Sequence, residues 1–102
     1  MEKLIVDGKV AVLVSSGFGA GWSTWMNNED VVFDPVIAQM CLDGASDEDI
    51  IAVAEQRYPE EYFGGVSGLY VMWVPVGARF RIEEYDGAET LHLEEDYSWY
   101  TA

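Results

Sequence analysis

The sequence predicts an α+β fold: an antiparallel sheet of about five strands with two short helices packed on one face, in the order ββααβββ. Three observations carry this expectation. Two Asp-Gly dipeptides, Asp7-Gly8 and Asp86-Gly87, each separate β-rich runs. Two well-punctuated helix starts follow one another at Asp34 and Ser46, and an uncharged run, LYVMWV at 69–74, lies between the helices and the second Asp-Gly. With 102 residues and 50% of them apolar, the chain is expected to form a single domain over 1–102, because a second core would be too small to hold itself together.

Residues 4–6 and 10–14 form the first strand pair. Asp-Gly suits a two-residue type I′ turn, in which both central residues need positive φ. That turn sets Val6 opposite Lys9, Ile5 opposite Val10 and Leu4 opposite Ala11. The second strand, VAVLV, is apolar on both faces, which suits a central strand covered by helices. Residues 17–28 lack any period, and their glycines read as a loop.

At Asp34 the signals turn helical: an Asp cap, Pro35 in the first helical position, a stripe of Val36, Ile37, Met40 and Cys41, and Gly44 as the stop. A second cap follows at Ser46, with Asp49 three residues on and Asp47 and Glu48 where the helix dipole favours negative charge. This helix is expected to run to about residue 57, because Pro59 biases Tyr58 away from helical geometry. Its inner face would be Ile50, Ile51, Ala54 and Tyr58.

Gly64, Gly65 and Gly68 loosen the connection to the strand at 69–74. That strand is apolar on both sides and therefore internal. Pro75 and Gly77 fit positions i+1 and i+3 of a type I turn. The final hairpin turns at Asp86-Gly87, placing Ile82 opposite Leu91, Phe80 opposite Leu93, Arg81 opposite His92, Arg79 opposite Glu94 and Glu84 opposite Glu89. One face is apolar near the base, and the other carries an opposite-charge pair.

Five basic residues against 19 acidic ones give a net charge of −14. Such a field disfavours nucleic acid and anionic membranes, whose binding needs clustered Lys and Arg, and favours a basic protein surface. No signal-like or membrane-spanning run is visible, so the cytosol is the expected location. The lone Cys41 excludes an intrachain disulfide and a multi-cysteine metal knuckle. An exposed edge strand and the aromatic tail (Tyr97, Trp99 and Tyr100) make a homodimer one expected state.

The segment GFGAGWSTW holds the first group of candidate contact residues: Gly17, Phe18, Gly19, Gly21, Trp22, Ser23 and Trp25. Glycines let a backbone approach a partner closely, and indoles supply contact area. As a phosphate loop it is incomplete, since G-x-G-x-G lacks a following Lys and no helix start adjoins it. A small nucleotide-like ligand held by this loop and its tryptophans is the alternative reading. The hairpin tip supplies the second group: Glu83, Glu84, Tyr85, Asp86 and Glu89. These crowded carboxylates read as a solvated tip or as a seat for a basic partner; the spacing of a calcium loop is absent, and no metal or cofactor is expected. Serine chemistry would need a base, and the sole histidine, His92, faces Arg81, which discourages a triad. A small hydrolase using Ser23 or the carboxylates is the third reading, and no catalytic residue is assigned.

GFGAGWSTW and RIEEYDGAET, with the WVPVG strand end between them, resemble a group of small proteins encoded by tailed bacteriophages and prophages. No activity or catalytic residue carries over from that resemblance. What it implies is context: phage genes of this size often encode acidic inhibitors of host defences, including anti-CRISPR proteins, whose acid occupies a lysine-rich channel. A non-enzymatic, anti-defence binder is therefore the leading expectation. In it, Glu83, Glu84, Asp86, Glu89, Glu94, Glu95 and Asp96 would fill a basic groove in the host cytosol, and Trp22, Trp25 or Tyr85 would anchor the contact.

Overall fold

Both Asp-Gly dipeptides turn as their chemistry dictates, with φ of 51° and 76° at Asp7 and Gly8 and 50° and 86° at Asp86 and Gly87. These values define type I′ turns, whose twist matches that of the strands they join. In this computed structural model, which describes residues 2–17, 21–24, 28–61, 63 and 65–94, the first turn joins β1 (Ile5–Val6) to β2 (Lys9–Ser15). The second joins β4 (Phe80–Tyr85) to β5 (Ala88–Leu93). Every expected cross-strand partner within these strands is observed, from Ile5 opposite Val10 to Arg81 opposite His92.

The class is α+β and the strands are antiparallel, but they divide into two sheets: β1-β2-β3, with β3 at Leu69–Pro75 at an edge instead of internal as expected, its apolar pattern reflecting cores on both faces, and the β4-β5 hairpin. The reason lies in the turn between β3 and β4. Ala78 N–H donates to Pro75 C=O at 3.0 Å, and Gly77 has φ 85°. This is a type II turn with Gly at i+2, one residue later than the type I turn expected from Pro75. It carries β4 across the face of the sheet instead of along its edge.

Three layers result, and β2 is the middle of them. Ala11 and Leu13 point to one side, into a core formed with Trp22, Val31, Ile37, Ala38, Ile50, Ala54 and Tyr58. Val10, Val12 and Val14 point to the other side, joining Val74 against Phe80, Ile82, Leu91 and Leu93 of the hairpin. The strand is apolar on both faces because helices cover one and the hairpin covers the other; the expectation of helical cover held for one face only. Each fully buried Val or Leu here contributes about 1.5–3 kcal/mol.

The helical layer follows the sequence signals closely. Helix α2 (Pro35–Leu42) is capped by Asp34, whose Oδ1 accepts from the N–H groups of Val36 and Ile37 at 2.9 and 3.0 Å. It ends at Gly44, where φ is 75°. Helix α3 (Asp47–Arg57) starts at Ser46, whose hydroxyl accepts from Asp49 N–H at 3.2 Å. On α2 the buried residues are Ile37 and Ala38, while Val36 faces solvent. A four-residue helix, α1 (Asp30–Phe33), precedes α2; Glu29 gives it no side-chain cap, but Asn28 Oδ1 accepts from Asp30 N–H at 3.1 Å. Its Val31 enters the helix-side core, and Val32 and Phe33 reach the hairpin-side core. Among the described residues, no helix is long and apolar enough to cross a membrane.

Candidate functional site

The inward face of the hairpin determines what the candidate residues can do. Alternation along β5 sends Leu93, Leu91 and Glu89 to one side, and along β4 it sends Phe80, Ile82 and Glu84 to that same side. Near the base this face is apolar. At the tip it ends in a carboxylate pair, Glu84 opposite Glu89.

Glu89 is 4% exposed, and its carboxylate lies where β2 gives way to the glycine-rich turn. Oε1 accepts from Ser15 N–H at 2.9 Å. Oε2 accepts from Trp22 N–H at 3.0 Å, Thr24 N–H at 3.1 Å and the Thr24 hydroxyl at 2.6 Å. Three backbone amides and one hydroxyl thus converge on one buried anion, the arrangement that offsets the cost of desolvating a charge. Glu84 turns outward, and its Oε1 accepts from Gly87 N–H at 2.7 Å. The like-charge conflict expected across the hairpin is resolved by burying one carboxylate among donors and leaving the other in solvent.

This geometry corrects several expectations. Glu89, expected to meet a partner, is consumed inside the molecule. Trp22, expected as an anchor, is fully enclosed: its Nε1 donates to Val31 C=O at 3.2 Å and its ring lies 5.1 Å from that of Phe63. Gly21 and Ser23 are also buried. Gly17 is half-buried against Gly68, close enough that a Cβ on Gly68 would stand 2.5 Å from the Gly17 nitrogen. Phe18, Gly19, Trp25 and the tail acids Glu95 and Asp96, with Tyr97, Trp99 and Tyr100, lie outside the described residues. The amides of Ser15, Trp22 and Thr24 hold the Glu89 carboxylate.

A second buried carboxylate went unnoticed in the sequence except as a helix cap. Asp34 is fully enclosed; besides capping α2, its Oδ2 accepts from Arg57 Nε at 2.7 Å and the Tyr58 hydroxyl at 2.6 Å. Burial and the bond to Asp34 push the Tyr58 hydroxyl well above its ordinary value. Arg57 is likewise raised, first by its bond to Asp34. Beside this node an open depression of about 280 Å³ is lined by Asn28, Arg57, Tyr58, Pro59, Glu60 and Glu61. The Cys41 thiol is pushed up by burial and by nearby Asp47.

What stands outside is the hairpin tip. Glu83 is held between Arg81 Nη2 at 2.9 Å and His92 Nε2 at 3.3 Å. Tyr85 is 77% exposed, the most exposed of the large hydrophobic residues among those described. It lies between Glu84 and Asp86, directly before the rigid turn. Other acid is spread over the helical layer: Asp43, Asp47, Glu48, Asp49, Glu55 and Glu60 are all exposed. Three of these occupy the first turn of α3, where the helix dipole accounts for them. No group of three or more His, Cys, Asp or Glu among the described residues could hold a metal ion.

Fold and site together define a small three-layer α+β domain whose outermost hairpin presents an aromatic residue among carboxylates. Comparisons with protein-family models, curated proteins and solved structures find nothing that matches this chain.

Proposed function

We propose that this chain is a non-enzymatic acidic binder whose hairpin tip docks on a basic surface of another protein. In the phage setting implied by the resemblance above, that protein would be a component of host defence. The observation that carries the reading is Tyr85, an aromatic residue 77% exposed beside a type I′ turn, with no hydrogen bond or ring contact from its side chain among the described residues.

Three features support it. Glu83, Glu84 and Asp86 surround Tyr85 with negative charge, matching a net charge of −14 that steers the chain toward cations. Glu83 is already fixed by Arg81 and His92, and Glu84 by the Gly87 amide, so little side-chain freedom is lost on docking. Glu89 ties the hairpin to the end of β2, so the tip is presented on a rigid base.

A pull-down from host lysate with the full chain, at low and high salt, tests the reading. A partner should be retained at low salt, released as salt rises, and bound about 30-fold more weakly by Tyr85→Ala, the scale of an interface anchor. A partner held equally well by Tyr85→Ala, or indifferent to salt, would refute it.

A further inference from the structure

We propose that a second copy of this chain pairs with the outer edge of β3, joining two three-stranded sheets across a two-fold axis at Val71. The inference is independent of the hairpin tip. It rests on what β3 exposes on the side away from β2.

The register identifies the groups on that edge. Val76 N–H donates to Gly8 C=O at 2.9 Å, and Ser16 N–H donates to Gly68 C=O at 3.0 Å. Both pairs continue the register in which Val10 faces Val74, Val12 faces Met72 and Val14 faces Tyr70, so these are the hydrogen-bonded pairs. By alternation, the N–H and C=O groups of Val71 and Trp73 and the C=O of Leu69 point away from β2, while the Leu69 N–H donates to Val66 C=O. Among the described residues no strand pairs with them. Pro75 lies next on the same edge, where its missing N–H costs nothing.

Among the described residues this edge carries one of the usual guards, Pro75 at its end, but neither charge nor bulge. Natural edge strands are blunted by charge, by bulges or by brevity. Here β3 spans seven residues, and no charged residue occurs from Phe63 to Ala78 in a chain of net charge −14. Tyr70 and Trp73 are 39% and 36% exposed along it. For a like-charged copy, this uncharged strip is where approach costs least.

The strip is also complementary to itself. A two-fold at Val71 sets Val71 opposite its counterpart, Leu69 opposite Trp73, and Tyr70 opposite Met72. That makes about four inter-strand hydrogen bonds and sets aromatic against aliphatic side chains on both faces. Tyr70 and Met72 already share a face, the Tyr70 hydroxyl lying 3.7 Å from Met72 Sδ. Leu69 and Trp73 lie on the helix side, Trp73 opposite Ala11 in the existing sheet. Since the two copies repel overall, salt should strengthen this pairing, the opposite of its effect on docking to a basic partner.

Sedimentation velocity of the full chain across the micromolar to millimolar range, at low and high salt, tests the proposal. The expected result is a concentration-dependent dimer favoured by salt, with a dissociation constant raised about tenfold or more in Tyr70→Lys and Trp73→Lys. Far-UV circular dichroism of both variants checks that they fold. Independently of those variants, Val71→Cys in a Cys41→Ala background should form an interchain disulfide under mild oxidation. Residues of a hydrogen-bonded antiparallel pair stand about 5.5 Å apart at Cα, within disulfide reach. Trp73→Cys in the same background should not cross-link, because its counterpart lies along the strand opposite Leu69. A monomer at every concentration overturns the proposal and leaves the edge to a strand from a different protein. A dimer indifferent to all of these changes overturns it as well.

Discussion

Replacing Glu89 by glutamine keeps the shape of the side chain and removes its charge and one acceptor. Three of the four bonds converge on Oε2, so the amide oxygen of the substituted residue is best placed there. Its NH₂ group then meets the Ser15 N–H, donor against donor. A buried donor left unsatisfied costs about 1–3 kcal/mol, and each remaining bond loses about 1 kcal/mol on passing from a charged to a neutral acceptor. Thr24 is exposed and water can replace part of its share, so a net loss of about 3 kcal/mol is expected for Glu89→Gln. For a domain of this size that lowers Tm by roughly 15 °C. Thermal and urea unfolding followed by circular dichroism measure it, with Glu84→Gln as the control; Glu84 is exposed and should stay within about 0.5 kcal/mol of the parent. If Glu89→Gln costs less than about 1 kcal/mol, the carboxylate does not hold the loop and the account of the site is wrong.

Asp34→Ala removes a helix cap and strands the Tyr58 hydroxyl, and should cost about 3 kcal/mol by urea unfolding. Tyr58 binds its proton more tightly folded than unfolded, so the stability it contributes is complete below its ordinary value of about 10 and declines as the pH climbs past it; Tyr58→Phe should flatten stability-versus-pH curves above that point. Gly68→Ala drives a methyl into the Gly17 backbone and should destabilise by about 2 kcal/mol or more, whereas Gly17→Ala, whose Cβ would meet nothing nearer than 3.7 Å, should be tolerated; equal losses would show that the two segments do not touch as described. Cys41, its thiol held up by burial and Asp47, should react with a disulfide reagent at mildly alkaline pH more slowly than a free cysteine does, and the rate should rise on adding urea.

What the sequence made legible is what short-range chemistry decides. Asp7-Gly8 and Asp86-Gly87 announced their turns and, through them, the register of both hairpins. Asp34, Pro35 and Ser46 announced two helix starts. The sheet's division depended on a single residue of phase in the turn at Pro75, where Gly77 could serve as i+2 or i+3, and local preference does not separate the two. Glu89 was harder still, because its partners lie 65 to 74 positions away. One signal was present: Glu89 continues the inward series of Leu93 and Leu91, so alternation placed it beneath the hairpin while its charge suggested solvent. Trp22 followed the same logic, since an indole beside glycines reads equally as a contact or as a plug until Val31 and Phe63 are seen around it.

The link between residue 89 and the amide of residue 15 also bears on how the chain acquires its form during synthesis. Translated before the rest of these residues, the opening hairpin gains the contact at its far end only once the fifth strand has been made. Helices α2 and α3 can form as they appear, but the amides of Ser15, Trp22 and Thr24 must wait for a carboxylate translated near the end of these residues. Their arrangement is therefore set after most of these residues exist, and a nascent fragment stopping short of that glutamate would leave three amides competing for water.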